Sequence, residues 1–387
     1  MNGERRPDIA IFGSFRATGG TYRRLTNQIH VWHRLGYRVD LVAFRRGVMF
    51  YADEMPDSVR FVDLGTRGKL PTLFALWRYL RRVQPEVVLS IMHLGNTVLA
   101  RCIDLPGVTS RCFLSVPNTY GESGKANSPG RRRRKFRQIR RLYPRAAGVI
   151  AVSEGVRDDL ERTVGLRGAR LHTIYNGSIG HNLAERAREP VSHPWLAAPD
   201  RPVFLSAGGL RLQKDFATLL RAFAGVRAER PARLIIVGEG PERANLEVLV
   251  NELGLDADVD LPGFVDNPYA WMARADVFVL SSRWEGLVNV VAEALGVGVP
   301  VVSTDCPSGP REILGQGRYG RLVPMADPEA LAAAMAATLD DGGPVFDRDE
   351  AVRPFTAEYA ARAYLDAFGL DRHTAAGHCA RPGRSPR

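Results

Sequence analysis

The sequence predicts an α/β chain built on parallel sheets and divided into two domains. Three observations predict it. Residues 275–312 contain a strand–helix–strand unit whose strands are apolar at nearly every position, as strands buried on both faces are. Short apolar runs followed by Gly-containing turns and amphipathic helices recur in both halves of the chain, the rhythm of parallel crossovers. A length of 387 residues exceeds one ordinary core, and a stretch with four prolines near the middle offers a connection.

In the central unit, 277–280 (VFVL) is a strand, ended by the polar, Gly-containing 281–286. Leu287, Val290, Val291, Ala294 and Leu295 then repeat as one face of a helix. Gly296 and Gly298 are expected to stop that helix before a second strand at 299–302. Glu285 lies in the strand-to-helix turn, where open parallel sheets bind ligands. Glu293 falls roughly opposite the apolar stripe, beside Asn289. Eight residues of helix rise about 12 Å, on the order of an extended sugar nucleotide, and a helix N-terminus suits a diphosphate. From spacing alone, a solvated helix glutamate and a loop charge fit equally well.

Taken in order, 9–12 is the first strand, and the loop 13–20 (GSFRATGG) leads into a helix through Leu25, Ile29 and Trp32. The loop is not GxGxxG and Asp40 is mid-strand, so a nicotinamide site is weakly supported. Strands follow at 39–44, 86–91 and 112–116, with a helix at 73–83. The third strand ends at 92–96, which includes His93; the fourth ends at Pro117, Asn118 and Thr119. A lone His such as His93 is more often structural than catalytic. The arginine-rich 131–145 carries Phe136, Ile139, Leu142 and Tyr143 at helical spacing. A basic helix with an apolar edge suits an anionic membrane surface, and a solvated basic face is the plain alternative. Residues 147–152 and 171–175 are strands, Ser153 caps a helix, and Asn176-Gly177 is a turn.

Residues 185–202, with Pro190, Pro194, Pro199 and Pro202, read as the connection. Strands at 203–206, 234–237 and 259–265 follow, with Phe264 expected to pack. Arg211 and Lys214 form a basic pair in a loop opening a helix, suited to a pyrophosphate. Residues 305–312 form a turn in which Glu312 either caps or contacts substrate. Helices are expected at 330–339 and 355–368, the latter closed by Gly369, before a polar tail at 372–387 that reads as disordered.

Composition is that of a soluble globular protein, with 45% hydrophobic and 25% charged residues. The N-terminus lacks the apolar core of a signal peptide, and no apolar run is long enough to span a bilayer. Cys102, Cys112, Cys306 and Cys379 lack CxxC spacing, which favours reduced thiols in a cytosolic chain without zinc. The DxD-like pairs Asp256/Asp258 and Asp347/Asp349 lie in polar loops, so no metal site is expected. The net charge of +11 calls for an anionic partner. Nucleic acid is disfavoured, because only Phe136 and Tyr143 offer stacking platforms in the basic run.

The pair Glu285-x7-Glu293 within WEGLVNVVAEALGVGVPVVSTDCPSGPREIL resembles the donor site of family-4 glycosyltransferases, retaining enzymes of the GT-B fold. GGLRLQKDFATLLRAFA, LIIVGEGPERANLE and YGRLVPMADPEALAAAM resemble the same family in the same order. The resemblance implies two Rossmann-like domains facing across a cleft. It implies an acceptor domain at 1–184, a linker at 185–202, a donor domain at 203–354, a helix at 355–371 crossing back, and the tail. Glu285, with Lys214 and Arg211, would be catalytic, holding the sugar hydroxyls and the departing diphosphate. Glu293 would hold the ribose, the segment Gly286, Leu287, Val288 and Asn289 the donor, and Gly263 and Val265 the base. Gly19, Gly20, His93 and Asn118 would face the acceptor.

Two positions depart from the family: Pro117, where relatives often have His or Arg, and Gly209, where they have Arg. These departures motivate a catalytically silent scaffold as a rival reading, beside a sugar-nucleotide epimerase. The resemblance implies no cofactor and no metal, a sugar nucleotide as substrate (UDP-sugar ahead of GDP-sugar), and a glycan or lipid-linked acceptor. An anionic membrane surface met through 131–145 fits a cytoplasmic chain at the inner face of the membrane.

Overall fold

The structure is a computed structural model that describes residues 6–15, 20–44, 54–125 and 128–370. The first half folds around seven strands, β1 (Ile9–Gly13), β2 (Val39–Ala43), β3 (Arg60–Asp63), β4 (Val87–Ser90), β5 (Arg111–Val116), β6 (Gly148–Ala151) and β7 (Leu171–Thr173). The second half has six, β8 (Val203–Ala207), β9 (Arg233–Val237), β10 (Val259–Gly263), β11 (Val277–Leu280), β12 (Val301–Thr304) and β13 (Arg321–Val323). Every neighbouring pair runs parallel, in the orders β3-β2-β1-β4-β5-β6-β7 and β10-β9-β8-β11-β12-β13. The central strands are apolar on both sides because helices cover both faces: β1, β4, β8 and β11 are buried throughout.

Strand order reverses between β1 and β4 in the first sheet and between β8 and β11 in the second. At such a switch the loops leaving the two strands diverge to opposite faces and open a crevice at their carboxyl ends. The loop 208–214 after β8 and the loop 281–288 after β11 therefore share one crevice. That is where the two stretches carrying Lys214 and Glu285 meet.

The closing helix Ala357–Phe368 packs on Gly20–Arg34 of the first half. Trp32 is fully buried there, against Tyr364 and Phe368 at 6.0 and 6.3 Å, and its Nε1 donates to the Ala361 carbonyl at 3.0 Å. Gly369 ends the helix in the left-handed region, with φ 65°.

Several sequence expectations are corrected. The edge strands β3 and β13 were not anticipated, and residues 93–96, read as the end of the third strand, instead open the helix His93–Cys102. Gly296 lies inside the helix Asn289–Val297, and Gly298 alone ends it, at φ 98°. The connecting stretch contains the helix Pro194–Ala197 and the end of Leu183–Arg188, and it buries Val191 and Leu196. The basic helix is Pro129–Leu142, and its Phe136, Ile139 and Leu142 are buried in the first domain. Its apolar edge is thus consumed by the core and is not free to enter a bilayer. Phe264 is 52% exposed, so it does not pack.

Cys102, Cys112 and Cys306 are free and buried, whereas Cys379 and the tail at 372–387 lie outside the described residues. Among the described residues no helix is long and apolar enough to cross a membrane.

Candidate functional site

In the crevice between β8 and β11, Lys214 Nζ donates to Glu285 Oε1 at 2.7 Å. Ser282 Oγ donates to the same oxygen at 2.8 Å, and Gln213 Nε2 to Glu285 Oε2 at 3.1 Å. The loops are joined through main-chain carbonyls as well: Arg283 N donates to the Gln213 carbonyl and Ser281 Oγ to the Lys214 carbonyl, both at 2.8 Å. Arg283 grips the buried Asp215 through two bonds of 2.8 and 3.1 Å. Gly208 makes room for the lysine stem, since a Cβ there would lie 2.9 Å from Lys214 Cε. Arg211 is exposed, and its Nε lies 3.5 Å from where a Cβ on Gly209 would stand. Its side chain thus lies over the position that departs from the family.

The first domain forms the opposite wall and grips this loop by its backbone. Thr119 Oγ1 donates to the Glu285 carbonyl at 3.4 Å, and Ser153 Oγ to the Gly286 carbonyl at 2.7 Å. Ser308, from the second domain, donates to that carbonyl at 2.8 Å. A Cβ on Gly286 would stand 2.1 Å from the Pro117 carbonyl and 2.8 Å from Asn118 Cα, so only glycine fits. Asn176 Nδ2 donates to Asn289 Oδ1 at 2.8 Å. Glu312 accepts from the amides of Glu154 and Gly155 at 2.8 and 2.9 Å, capping a helix of the first domain across the boundary. Burial raises its carboxyl pKa, and those two amides oppose the shift.

The helix Asn289–Val297 starts beside Glu285, and Val288 before it supplies no side-chain cap. Glu285 itself precedes the helix, so the eight-residue helical rise does not separate the two glutamates. Glu293 is 4% exposed instead of solvated, because residues from both domains cover that face. Burial pushes its carboxyl up to about 7, against the lowering pull of Arg23, Tyr269 and Lys214. Arg23 is itself buried, donates to the Asp266 carbonyl at 2.8 Å, and stands 5.5 Å from the Tyr269 ring. Gly263 ends β10 at φ 91° and accepts from Gly238 N at 2.8 Å, while Val265 is half-buried next to it.

Two family models divide the chain: "Glycosyltransferase Family 4" matches residues 18–178, and "Glycosyl transferases group 1" matches residues 201–341. The amylovoran biosynthesis glycosyltransferase AmsD of Erwinia amylovora is 30% identical over 312 residues, covering 80% of this chain and 84% of that protein. The chain belongs to the family-4 glycosyltransferases. A second relative, from Campylobacter jejuni, is N-acetylgalactosamine-N,N'-diacetylbacillosaminyl-diphospho-undecaprenol 4-alpha-N-acetylgalactosaminyltransferase. It is 33% identical over 200 residues, 52% of this chain, and the chain spans about half of its length (53%). The structure of Anabaena Alr3699/HepE in complex with UDP superposes with a TM-score of 0.71 at 18% identity, covering 95% of this chain and 98% of that one. The fold is GT-B.

Within this family-4 chain, the crevice brings together Glu285, Lys214, Gly286, Leu287, Val288 and Asn289, with Asn118 against Gly286. Gly20 opens the helix that carries Arg23, and Gly19 lies outside the described residues. His93 makes no contact with the Glu285 cluster among the described residues. It starts its helix 3.3 Å from the Tyr143 hydroxyl and lines a separate cavity in the first domain. Sequence reading missed Ser282 and Gln213 around Glu285, and Arg23 and Tyr269 around Glu293. Gln213 stands next to Lys214 in the matched LQKD segment and could have been found; Arg23 carries no comparable signal. No group of three or more His, Cys, Asp or Glu able to hold a metal ion occurs among the described residues.

Proposed function

We propose that the chain transfers a hexosyl or N-acetylhexosaminyl group from a nucleoside-diphosphate sugar to a glycan or lipid-linked acceptor, with retention of anomeric configuration. The observation that carries this reading is the Lys214–Glu285 pair at the switch-point crevice, beside the uncapped N-terminus of Asn289–Val297. A diphosphate there meets Lys214, Arg211 and the amides of 286–288, all suited to charge that grows as the glycosidic bond breaks. Glu293 holds the ribose hydroxyls, Glu285 the sugar hydroxyls, and the backbone at Gly263 and Val265 the base. The uridine-diphosphate donor is favoured by the DCPSGPRE segment and by the UDP held in the HepE structure.

Both carboxylate oxygens of Glu285 already accept hydrogen bonds from Lys214, Ser282 and Gln213. That engagement suits a binding group better than a nucleophile, which double displacement would need close to the anomeric carbon. In our reading the acceptor oxygen attacks from the face that the diphosphate leaves. Its proton passes to the departing phosphate oxygen as the anomeric C–O bond to phosphate breaks. Lys214, Arg211 and the helix amides serve in place of a metal. Transfer takes place in the cytoplasm, with the basic helix meeting an anionic inner membrane surface by charge alone.

The test is a thermal-shift and calorimetric panel of nucleoside diphosphates and sugar nucleotides, followed by transfer assays with and without EDTA. Binding of one nucleotide, lost in Lys214→Ala and Glu293→Ala, and an EDTA-insensitive α-linked product from an α-linked donor are expected. Hydrolysis or epimerisation alone, or the absence of any nucleotide binding, would overturn the reading.

A further inference from the structure

The basic helix Pro129–Leu142 does more than present charge to solvent. With the helices Lys69–Val83 and His93–Cys102 it borders an open cavity of about 1020 Å³ in the first domain. Nine of its thirteen lining residues are Lys or Arg, and none is Asp or Glu. None of the residues that hold Glu285 or Glu293 lines it.

Packing accounts for the position of the helix but leaves the charges unexplained. Phe136, Ile139 and Leu142 fill the core, which only obliges the intervening residues to face outward. Like charges four residues apart destabilise a helix, and Arg137 with Arg141 and Arg131 with Lys135 are such pairs. Lys69, Arg131, Arg134, Arg137 and Arg141 have no ion pair or hydrogen-bonded side-chain acceptor among the described residues. The cations reach inward as well. Burial, then Lys135 and Lys69, push the imidazole of His93 on the cavity wall down to about 4. A concave, one-signed surface concentrates its field on a counter-ion, and guanidinium forks match phosphate oxygens two at a time. The space is larger than a single phosphate requires.

We propose that this cavity binds a phosphate or diphosphate group carried by the acceptor, at a site distinct from the donor crevice. The proposal rests on the reading of the chain as a glycosyltransferase and names the class of its acceptor: one that carries at least two negative charges. Arg134, Arg137 and Arg141 form the fork row on one helix, and Lys69 with Arg101 face them from neighbouring elements.

The experiment is calorimetric titration of the full chain with inorganic pyrophosphate in excess UDP, and separately with a short polyprenyl diphosphate in detergent. Native protein is compared with Arg134→Gln/Arg137→Gln/Arg141→Gln and with a control of equal charge loss, Arg221→Gln/Arg318→Gln/Arg362→Gln. Pyrophosphate is expected to bind with UDP present, at least tenfold more weakly in the cavity variant, and unchanged in the control. UDP affinity should be the same in all three proteins. Tighter binding of the prenylated ligand would assign the phosphate to a lipid-linked acceptor, and equal binding to a soluble one; both support the site. Equal pyrophosphate binding in native and cavity variant, or equal loss in the control, would overturn it. So would a cavity variant that loses flotation on phosphatidylglycerol vesicles yet binds pyrophosphate as the native chain does. Failure of UDP to bind any of the proteins would count against the donor reading alone, since the pyrophosphate titration still reports on the cavity.

Discussion

Lys214 Nζ lies 2.7 Å from Glu285 Oε1, with side-chain exposures of 17% and 9%. Removing one member of a pair this shielded leaves the other charge without its counter-ion, at a typical cost of about 3–5 kcal/mol. Lys214→Ala is expected to lower the melting temperature and to lower kcat by roughly 10²–10³, the effect of losing one donor aimed at developing charge. Lys214→Met/Glu285→Gln should recover the melting temperature in a thermal scan without recovering transfer. Recovery of both would remove the charge pair from the chemistry.

Gly286→Ala places a methyl group 2.1 Å from the Pro117 carbonyl. Both partners at that contact are main chain, so relief requires the two domains to part. The variant is expected to retain nucleotide binding, lose nearly all transfer, and show a larger radius of gyration in X-ray scattering. An unchanged radius with full activity would show that the domains need not meet here.

Glu293 carries the pH prediction. Its folded pKa, about 7, lies above the 4.5 of an ordinary glutamate, so the folded state binds more protons between those values. Unfolding free energy therefore falls as pH rises from about 4.5 to about 7, and the penalty is fully present above that window. Glu293→Gln should flatten this slope and raise the melting temperature of the free protein at pH 8. Ribose hydroxyls prefer the ionised acceptor, so nucleotide affinity in the native chain should increase as pH rises through about 7. Calorimetry of Glu293→Gln should show weaker affinity without that pH dependence.

The boundary cap offers a smaller, separable effect. Glu312→Ala removes the acceptor for two amides at the start of Glu154–Asp158, which typically costs about 1 kcal/mol. Glu312→Gln keeps one good acceptor and should fall between the native chain and the alanine variant in denaturant midpoint. If all three midpoints coincide, the cap contributes nothing to stability.

The second domain was the more legible half. VFVL at 277–280 forms the strand that its apolar run predicts, because helices cover both faces of the sheet. That Lys214 meets Glu285 was not legible from spacing: 71 positions separate them, and they meet only because β8 and β11 are neighbours across a reversal of strand order. β3 escaped notice because Arg60–Asp63 is an edge strand, half-exposed and polar at both ends. The helix His93–Cys102 was hidden by Gly95, Asn96 and Thr97, which suggest a loop. In the fold, Asn96 Nδ2 instead donates to the Ser115 carbonyl at 2.9 Å and stays inside. Glu293 reads as a surface residue on its own helix, and only the arrival of Tyr269 and of Arg23 from the other domain makes it a buried one.

Thr119 and Ser153 recognise carbonyl oxygens of the 285–286 loop, features any sequence presents once the loop has its shape. At this loop the joint is therefore a socket for a main-chain contour, with glycine at 286 as its chief demand on residue type, while Asn289, Glu312 and Trp32 add side-chain contacts elsewhere along it. Donor-facing side chains other than Asn289 and Glu293, which meet Asn176 and Arg23 of the first half, can drift without unseating the other half of the protein. Halves exchanged between family members would be expected to assemble, so long as each keeps that contour, and a new pairing of donor with acceptor could arise by recombination at residues 185–202.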